Sequence, residues 1–424
     1  MTCLDLSCQS LNEEAIKVAD LIAFYVPMHT ATRLAAQLLP TVRKLNPQAH
    51  LCCYGLYAPV NESFLRKLGV QTILGGEFEA GLAATLERLR ENRTSPEAQT
   101  LPTISLSRQS FLTPERQTLP PLSRYAKLVW GDNDARVAGY TEASRGCKHL
   151  CRHCPIVPIY EGRFRIVQPE VVLEDIRQQV SMGATHITFG DPDFFNGIRH
   201  AMRIVTAMHA ENPAVTYDVT IKVEHLLKHA GFLSALRETG CAFVTSAVES
   251  LDDEVLLRLE KRHTQRDFVR ALQHCRQAGL AISPTFVAFT PWTTLESYCD
   301  FLNGLREFDL VDYVAPIQLG IRLLIPAGSR LLELSEIAGL VGPFDEAALA
   351  YPWSNQDPRV DELCTRVQRV VHEGGKQKAT RRQIVQRVVK IAYEAAGIEP
   401  PDLPEPADRL DRAAIPYLTE PWYC

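Results

Sequence analysis

The sequence predicts an α/β protein with a Rossmann-like N-terminal domain, a partial (β/α)6 TIM-type barrel and a helical C-terminal extension. Short apolar runs alternate with amphipathic segments over residues 1–92 and again over residues 136–330. Such alternation is typical of parallel sheets with helices on their faces. After residue 330 the strand-like runs stop and long helical segments follow. The two alternating regions and the helical end together predict this fold class.

The N-terminal domain is predicted at residues 1–92. Its strand-like runs lie at 19–27, 50–58 and 70–76, and a helical segment follows each one. Pro40 lies inside the first of these helical segments, where its missing N–H predicts a kink or a break. We expect the three strands to form one parallel sheet with Rossmann-like winding.

Residues 93–135 lose this rhythm and are rich in Pro, Ser and Thr. We expect them to form an extended linker between two domains, with a disordered tail of the first domain as the alternative. The C-terminal region, residues 331–424, contains helical segments at 357–375 and 378–397. Glycine ends each segment, as is common where helices stop.

The barrel is predicted at residues 136–330. Its six strand-like runs lie at residues 137–144, 186–191, 216–222, 241–248, 281–289 and 312–321. In barrels of this kind the chemistry gathers at the C-terminal ends of the strands. We therefore expect functional residues directly after these runs.

Composition narrows the class of function. The chain has 424 residues, 46% of them hydrophobic, and a formal net charge of −5, which argues against binding nucleic acid by charge alone. No apolar run reaches the roughly 18 residues that a membrane helix needs. The first residues carry acids and no basic segment, so we expect no secretion signal. Twelve cysteines in a chain this long favour a reducing compartment over a disulfide scaffold, and we expect a cytoplasmic protein.

Three cysteines form the most informative motif. Cys147, Cys151 and Cys154 stand at CxxxCxxC spacing in SRGCKHLCRHCP, directly after the first predicted barrel strand. Three thiolates from one loop can ligate three irons of a [4Fe–4S] cluster and leave the fourth iron open. An open iron can bind the amino and carboxylate groups of S-adenosylmethionine (SAM), whose sulfonium then receives an electron and loses a carbon–sulfur bond.

Two other classes of site could use these cysteines. With His149 or His153 they could form a Cys3His zinc site in a binding protein. They could also hold a cluster that only transfers electrons. A zinc module usually draws its ligands from two knuckles, and the sequence shows no second one.

The cysteine triad and the alternation after it resemble the radical SAM superfamily over residues 136–330. The resemblance implies an enzyme with a [4Fe–4S] cluster, SAM, an external electron donor and a small-molecule substrate. His153 stands where the family usually has an aromatic residue beside the adenine of SAM. Gly190 and Asp191 stand where the family has a Gly–acid segment, so Asp191 would accept a hydrogen bond from the SAM amino group. Asp193 is the alternate candidate for that bond, and a capped loop with solvated acids is the other interpretation.

Two later segments also resemble the family. Glu249 and Ser250 match the Glu-Ser signature that radical SAM enzymes with cobalamin-type domains have at the end of the fourth strand. The match would bring Glu249 to the ribose or methionine end of SAM. The alternative is a salt bridge from Glu249 to Lys261 or Arg262. Thr290 lies in the fifth-strand segment where the family has its backbone contact with adenine. All of these contacts are implied by the resemblance.

Lys222 and Glu224 end the third predicted barrel strand. A polar pair at this position faces the mouth of the barrel. We take both residues as candidate substrate contacts, with an ordinary surface pair as the alternative.

The first domain resembles the cobalamin-binding-like domain that precedes many radical SAM barrels, through its YGLYAPVN and GGEFEAGL segments. The family's Asp-x-His-x-x-Gly signature for the lower axial histidine is missing. We therefore expect a domain without cobalamin that packs on the barrel and shapes the substrate entrance.

Nearly the whole chain resembles the radical SAM proteins named for a CUAEP or CCAEP tail, where U is selenocysteine. The likeness rests on SRGCKHLCRHCP, HITFGDPDFFNG, KVEHLL, AVESL, FTPWTTL and IRLLIPAGS. Those proteins continue beyond a Trp-Tyr-Cys segment, whereas this chain stops at Trp422, Tyr423 and Cys424. We hypothesise that it is truncated at an in-frame UGA codon, with an ordinary terminus as the alternative.

The same group is similar to the radical SAM enzyme of arsinothricin biosynthesis, which moves the 3-amino-3-carboxypropyl group of SAM to trivalent arsenic. Soft thiolate or selenolate groups suit a soft centre such as As(III). Cys424 is the only tail thiol in this chain, and a single thiol would hold As(III) poorly. Radical modification of a small metabolite or peptide by a 5′-deoxyadenosyl radical is the alternative enzyme reaction. RNA modification is a weaker alternative, because the C-terminal region does not resemble an RNA-binding domain.

Overall fold

The first domain is a parallel sheet with helices beside it. The computed structural model describes residues 2–91, 102–131, 134–401 and 415–419. All four strands of this sheet are parallel, in the order β1-β2-β3-β4. Its elements are α1 Glu13–Lys17, β1 Leu21–Tyr25, α2 His29–Leu45, β2 His50–Tyr54, α3 Tyr57–Val60, α4 Glu62–Lys67, β3 Thr72–Gly76, α5 Glu79–Arg90 and β4 Ile104–Ser105.

Helix α2 runs through Pro40, so of the two predicted outcomes the break is wrong, and the kink stays a prediction. Leu39 and Val42 are fully buried on either side of the proline. Packing of this apolar face against the sheet offsets the hydrogen bond that proline removes.

The second domain is a curled sheet of seven strands in the order β12-β11-β10-β9-β6-β5-β13. Five of them pair in parallel, and β5 and β13 add an antiparallel edge. The strands are β5 Lys127–Trp130, β6 Asp134–Thr141, β9 His186–Phe189, β10 Thr216–Thr220, β11 Cys241–Glu249, β12 Ala281–Phe286 and β13 Tyr417–Leu418. A separate hairpin pairs β7 Ser144–Gly146 with β8 Phe164–Ile166. This curled sheet confirms the predicted partial barrel as a fold class.

Helices connect the strands of this domain, and several of them pack on its sheet. They are α6 Val157–Tyr160, α7 Pro169–Ser181, α8 Ile198–Glu211, α9 Val223–Lys228, α10 Leu233–Glu238, α11 Asp253–Arg258, α12 Gln265–Gln277 and α13 Leu295–Glu307. Ile187, Tyr217, Val219 and Val244 are completely buried between the sheet and its surroundings. This shared core fixes the strands, so the loops after their C-terminal ends meet on one side.

The sixth predicted strand is wrong. Residues 312–321 contain a 3-10 helix, Pro316–Gly320. Pro316 has no N–H for a strand ladder and stands at the first position of a short helix, where proline is tolerated. Only a single parallel bridge, between Phe289 and Arg322, continues the sheet here.

The C-terminal extension is helical, as predicted. Its helices are α14 Ser335–Ala338, α15 Pro358–Lys376 and α16 Arg381–Ala396. Gly397 ends α16 in the left-handed conformation at φ 67°, which glycine adopts readily. The predicted glycine stop of the preceding helix is wrong, since α15 continues through Gly375. Gly374 packs there against Ile384 of α16.

The segment between the two domains contributes one strand to each sheet. In the segment predicted as a linker, β4 extends the first sheet and β5 extends the second. The predicted boundaries at 92, 135 and 330 remain predictions. Within the described ranges no helix has both the length and the apolar character to cross a membrane.

Arg145 joins the two domains. It follows β6 in the barrel, and its guanidinium pairs with Glu142 at 2.8 Å, with Glu79 of the first domain, and lies 3.6 Å from Glu77. The same group stacks 5.4 Å from the ring centre of Phe78. These charged contacts raise the pKa of Arg145 although burial opposes the rise. The guanidinium therefore stays charged between the domains.

Candidate active site

The three cysteines lie on one loop at the C-terminal side of the barrel. Cys147 follows β7 directly, and Cys151 is only 7% exposed. Gly146, at φ 75°, makes the turn into the loop. A Cβ on this glycine would lie 2.4 Å from the Tyr160 ring and 2.6 Å from the carbonyl oxygen of Arg163, so no other residue fits.

The surroundings of these thiols fit a cluster. Burial, and then the neighbouring Cys151, raise the pKa of Cys154 to about 12. Burial likewise raises the pKa of Cys147, whereas the backbone N–H of His149 lowers it. Buried thiols such as these can ionise when a bound metal centre supplies the positive charge. Hydrogen bonds from backbone N–H groups to the sulfurs suit a [4Fe–4S] centre, which is tuned by such bonds.

The two histidines of the loop face carboxylates. His149 Nε2 lies 3.1 Å from Asp193 Oδ2, and His153 Nε2 lies 3.1 Å from Glu249 Oε1. Among the described residues, no set of three ligand atoms within 4.8 Å of one another combines either ring with the cysteines. This arrangement offers no support for a Cys3His zinc site.

Asp191 holds the beginning of the cysteine loop. Its carboxylate is 2% exposed and accepts hydrogen bonds from Ala143 N–H at 2.8 Å and from Ser144 Oγ–H at 2.5 Å. Burial raises the pKa of Asp191 to about 7, although these two hydrogen bonds lower it. Gly190 lies against Tyr140, whose hydroxyl would be 1.8 Å from a Cβ at this position. The carboxyl is therefore buried rather than solvated, and its contact with SAM remains a prediction.

Asp193 occupies a different environment. Its Oδ1 accepts the N–H of Phe195, and its Oδ2 faces His149 and, at 2.7 Å, His225 Nδ1. Burial would raise the pKa of Asp193, but His149 and His225 lower it. Asn196, three residues later, accepts the N–H of Lys148 at 3.3 Å. The Asp193 segment thus anchors the cysteine loop through side chains.

Glu249 ends β11 with a strained backbone. Its φ of 71° lies in the left-handed region, which a glutamate adopts at a cost. Its carboxylate pairs with Lys261 Nζ at 3.2 Å and with His153. Burial opposes ionisation, but Lys261 and then His153 hold the pKa of Glu249 well below its ordinary value. The salt bridge to Lys261 that the sequence left as an alternative is therefore formed.

A cavity of about 260 Å³ lies beside Glu249. Ser250 and Thr290 line it, together with Val287, Ala288 and residues of α12 and α13. Thr290 Oγ1 lies 3.1 Å from Thr293 Oγ1. The structure thus brings Glu249, Ser250 and Thr290 to one cavity.

Lys222 and Glu224 form an ion pair of 3.3 Å. Lys222 is only 6% exposed, and its Nζ lies 3.2 Å from His149 Nδ1. Lys222 is therefore an interior residue next to the cysteine loop and not part of a surface pair. Contact with a substrate remains a prediction, and Cys424 lies outside the described residues.

Sequence reasoning missed one part of this site. His263 is 6% exposed, and both of its ring nitrogens are buried without a hydrogen-bond partner. Burial, and then Lys261 and Lys222, lower its pKa to about 4. Glu260 and Arg262 flank Lys261 at φ 54° and 58°, and this alternation turns Lys261 and His263 inward. The run Lys-Arg-His is visible in the sequence, but its place over the barrel depends on the tertiary fold.

Comparison with known families agrees with this geometry. Residues 141–301 match the model of the radical SAM superfamily. The chain contains a radical SAM domain. A tRNA-2-methylthio-N(6)-dimethylallyladenosine synthase of Desulfosudis oleivorans is 26% identical over 196 residues, which are 43% of this chain and 40% of that protein. Hopanoid C-3 methylase of Methylococcus capsulatus is 26% identical over 151 residues, 36% of this chain and 29% of that protein. The chain thus spans two fifths or less of the length of these curated relatives.

Solved structures share the fold across both domains of this chain. The cobalamin-dependent radical enzyme OxsB, with aqua-cobalamin and SAM bound, has a TM-score of 0.65 at 14% identity and covers 85% of this chain and 60% of its own. The radical SAM methyltransferase TsrM from Kitasatospora setae, with tryptophan and a SAM analogue, has a TM-score of 0.63 at 14% identity and covers 95% and 83%. These likenesses confirm the fold class. They give no support to the expectation that the first domain lacks cobalamin.

Proposed function

We propose that this protein is a radical SAM enzyme, which cleaves SAM reductively. The observation that carries the proposal is the loop of Cys147, Cys151 and Cys154 within the matched domain, on the side of the barrel where the strands end. These three residues would hold the [4Fe–4S] cluster. When bound, the cluster supplies one electron to the sulfonium of SAM, so that a carbon–sulfur bond breaks and a carbon radical is released. An external donor would provide the electron.

The side chains around the loop would position SAM. Asp191 fixes the segment before Cys147 and, by resemblance, would accept a hydrogen bond from the SAM amino group. The 260 Å³ cavity beside Glu249, Ser250 and Thr290 is smaller than the roughly 300–1,000 Å³ of sites that hold whole ligands. It suits one part of SAM, and we assign it to the adenosine end. Because Glu249 is ionised at neutral pH, it would accept hydrogen bonds from hydroxyl or ammonium groups there.

The sharpest form of the proposal is transfer of the 3-amino-3-carboxypropyl group of SAM to trivalent arsenic, which forms a carbon–arsenic bond. It is supported by the resemblance to the CUAEP/CCAEP group. Relatives named for methylthio and methyl transfer agree with a transferase in general. The alternative reaction is radical modification of a small metabolite or peptide. We expect a small-molecule substrate and no nucleic acid.

Product analysis tests this proposal. The chain is reconstituted anaerobically, reduced with dithionite and incubated with SAM, with and without arsenite, and products are identified by mass spectrometry. 5′-Methylthioadenosine with an arsenite-dependent aminocarboxypropyl product supports the carbon–arsenic reaction. 5′-Deoxyadenosine instead supports the alternative reaction and excludes the sharper one.

Cys151→Ala tests the cysteine loop, and Cys275→Ala is its matched control. Cys151 is buried among the three thiols, so its loss should abolish SAM cleavage, whereas Cys275→Ala removes a buried thiol in α12 outside the loop and should leave cleavage intact. Cleavage by a purified, reconstituted Cys151→Ala variant would contradict the proposal. A reducible cluster whose electron paramagnetic resonance spectrum does not respond to SAM would favour an electron-transfer protein.

A further inference from the structure

Three buried side chains from separate segments meet beside the cysteine loop. His149 belongs to that loop, Asp193 follows β9, and His225 lies on α9. Their side chains are 8%, 1% and 7% exposed. One ligand atom from each lies within 4.8 Å of the others. The group therefore links the C-terminal sides of three neighbouring strands.

Hydrogen bonds alone do not satisfy this group. Asp193 Oδ2 accepts from His149 Nε2 at 3.1 Å, and the same oxygen lies 2.7 Å from His225 Nδ1. The second contact is short but misaligned, so His225 Nδ1 is buried without a hydrogen bond. Buried nitrogen atoms are rarely left unpaired, and each such atom calls for an explanation.

The geometry points to a divalent cation of the zinc class bound by His149, Asp193 and His225, at a site separate from the cluster cysteines. Imidazole nitrogen and carboxylate oxygen are ligands that zinc accepts at roughly 2.0–2.2 Å. Ligand atoms within 4.8 Å of one another need only small side-chain rotations to reach one ion. The cation would use the nitrogen that has no other partner.

The neighbours of His149 could orient its ring for a metal ion. His149 Nδ1 lies 3.2 Å from Lys222 Nζ and 3.6 Å from Glu224 Oε2, and these two residues pair with each other. With a metal on Nε2, His149 Nδ1–H would donate a hydrogen bond to Glu224, because a carboxylate often orients a metal-bound imidazole in this way. Without a metal, Lys222 would donate to Nδ1 and His149 to Asp193.

The consequence is structural. A cation at this site would tie the cysteine loop to β9 and to α9, and so hold the loop before a cluster is assembled. This inference does not depend on the proposed cleavage of SAM, because its test measures metal content and ligands.

Metal analysis of cluster-loaded protein tests the site. The protein is produced with added zinc, reconstituted anaerobically, treated with a chelator and desalted. We expect about one zinc ion beside about four iron atoms per chain. X-ray absorption at the zinc edge should show only nitrogen and oxygen ligands. Zinc below about a tenth of an ion per chain, or zinc with sulfur ligands, would overturn the inference.

Variants separate this site from accidental binding. His225→Ala should reduce the zinc content at least about tenfold while iron is retained. His229→Ala, one turn further along the chain and outside the group of three, should keep its zinc. If His225→Ala disturbs folding, Asp193→Asn serves as the second variant. Addition of zinc should raise the melting temperature of the unaltered protein by about 2–4 °C but should not raise that of Asp193→Asn. Equal zinc in His225→Ala and His229→Ala would refute the assignment.

Discussion

The buried pair of Glu249 and Lys261 gives the most demanding prediction. Their side chains are 10% and 4% exposed, and 3.2 Å separates the charged groups. Replacing Lys261 by Met would leave a carboxylate in the interior with only His153 as its partner. Removing one member of a buried pair typically costs 3–5 kcal/mol. Because His153 remains at 3.1 Å, we expect the lower end, about 3 kcal/mol.

The double variant shows whether the unpaired charge is the cause. In Glu249→Gln/Lys261→Met the interior holds no unpaired carboxylate, so most of the lost stability should return. Melting temperatures are compared anaerobically at equal cluster content. About 3 kcal/mol corresponds to a loss of about 6–12 °C for a domain of this size. A loss below about 2 °C, or a double variant no more stable than the single one, would refute the reasoning.

The pH dependence gives an independent check. In the unaltered protein the pKa of Glu249 is held below its ordinary value of 4.5, so its stabilising charge is kept above that value and is lost as the pH falls through the folded pKa. In Lys261→Met burial is no longer opposed, and the pKa of Glu249 should rise. Lowering the pH from about 7 to about 5 should then protonate Glu249 in the variant alone and reduce the difference in stability.

Two further predictions concern the loop after β9. Gly190→Ala should destabilise the protein by about 1–3 kcal/mol in chemical unfolding, because the added Cβ would meet the Tyr140 hydroxyl. Gly231→Ala is the control, since a Cβ there would meet nothing within 4 Å. Equal effects of the two substitutions would contradict the steric explanation. Asp191 has its pKa raised from 3.8 to about 7, so the folded state binds its proton more tightly, and the free energy of unfolding should fall by up to about 4 kcal/mol as the pH rises from about 4 to about 7. Asp191→Asn should remove this slope, and an unchanged slope would mean that another group titrates.

The parts that could be predicted from the sequence are those that local chemistry fixes. The spacing of Cys147, Cys151 and Cys154 indicated a cluster because one short loop supplies all three thiols. The β/α rhythm predicted the fold class because apolar period and helix signals are local. Glu249, Ser250 and Thr290 were named from a resemblance, and the structure brings them to one cavity.

The parts that could not be predicted depend on distant contacts. The segment 312–321 is apolar enough for a strand, but Pro316 and packing against α15 favour a 3-10 helix. His225 and His263 give no sequence signal by themselves, since a lone histidine is as easily a surface residue. Only the fold brings His225 to Asp193 and turns His263 inward between two lysines.

The guanidinium of Arg145 has a consequence for how the two domains communicate. Arg145 stands two residues before Cys147, and it forms ion pairs with acidic side chains of the barrel and of the first domain. A shift of the first domain would pull on the same stretch of backbone that carries the first cysteine. We therefore expect a movement of the N-terminal domain to reach the cysteine loop through the ion pairs of Arg145 and, on the other side of the loop, through the hydrogen bond from Tyr160 to Glu77.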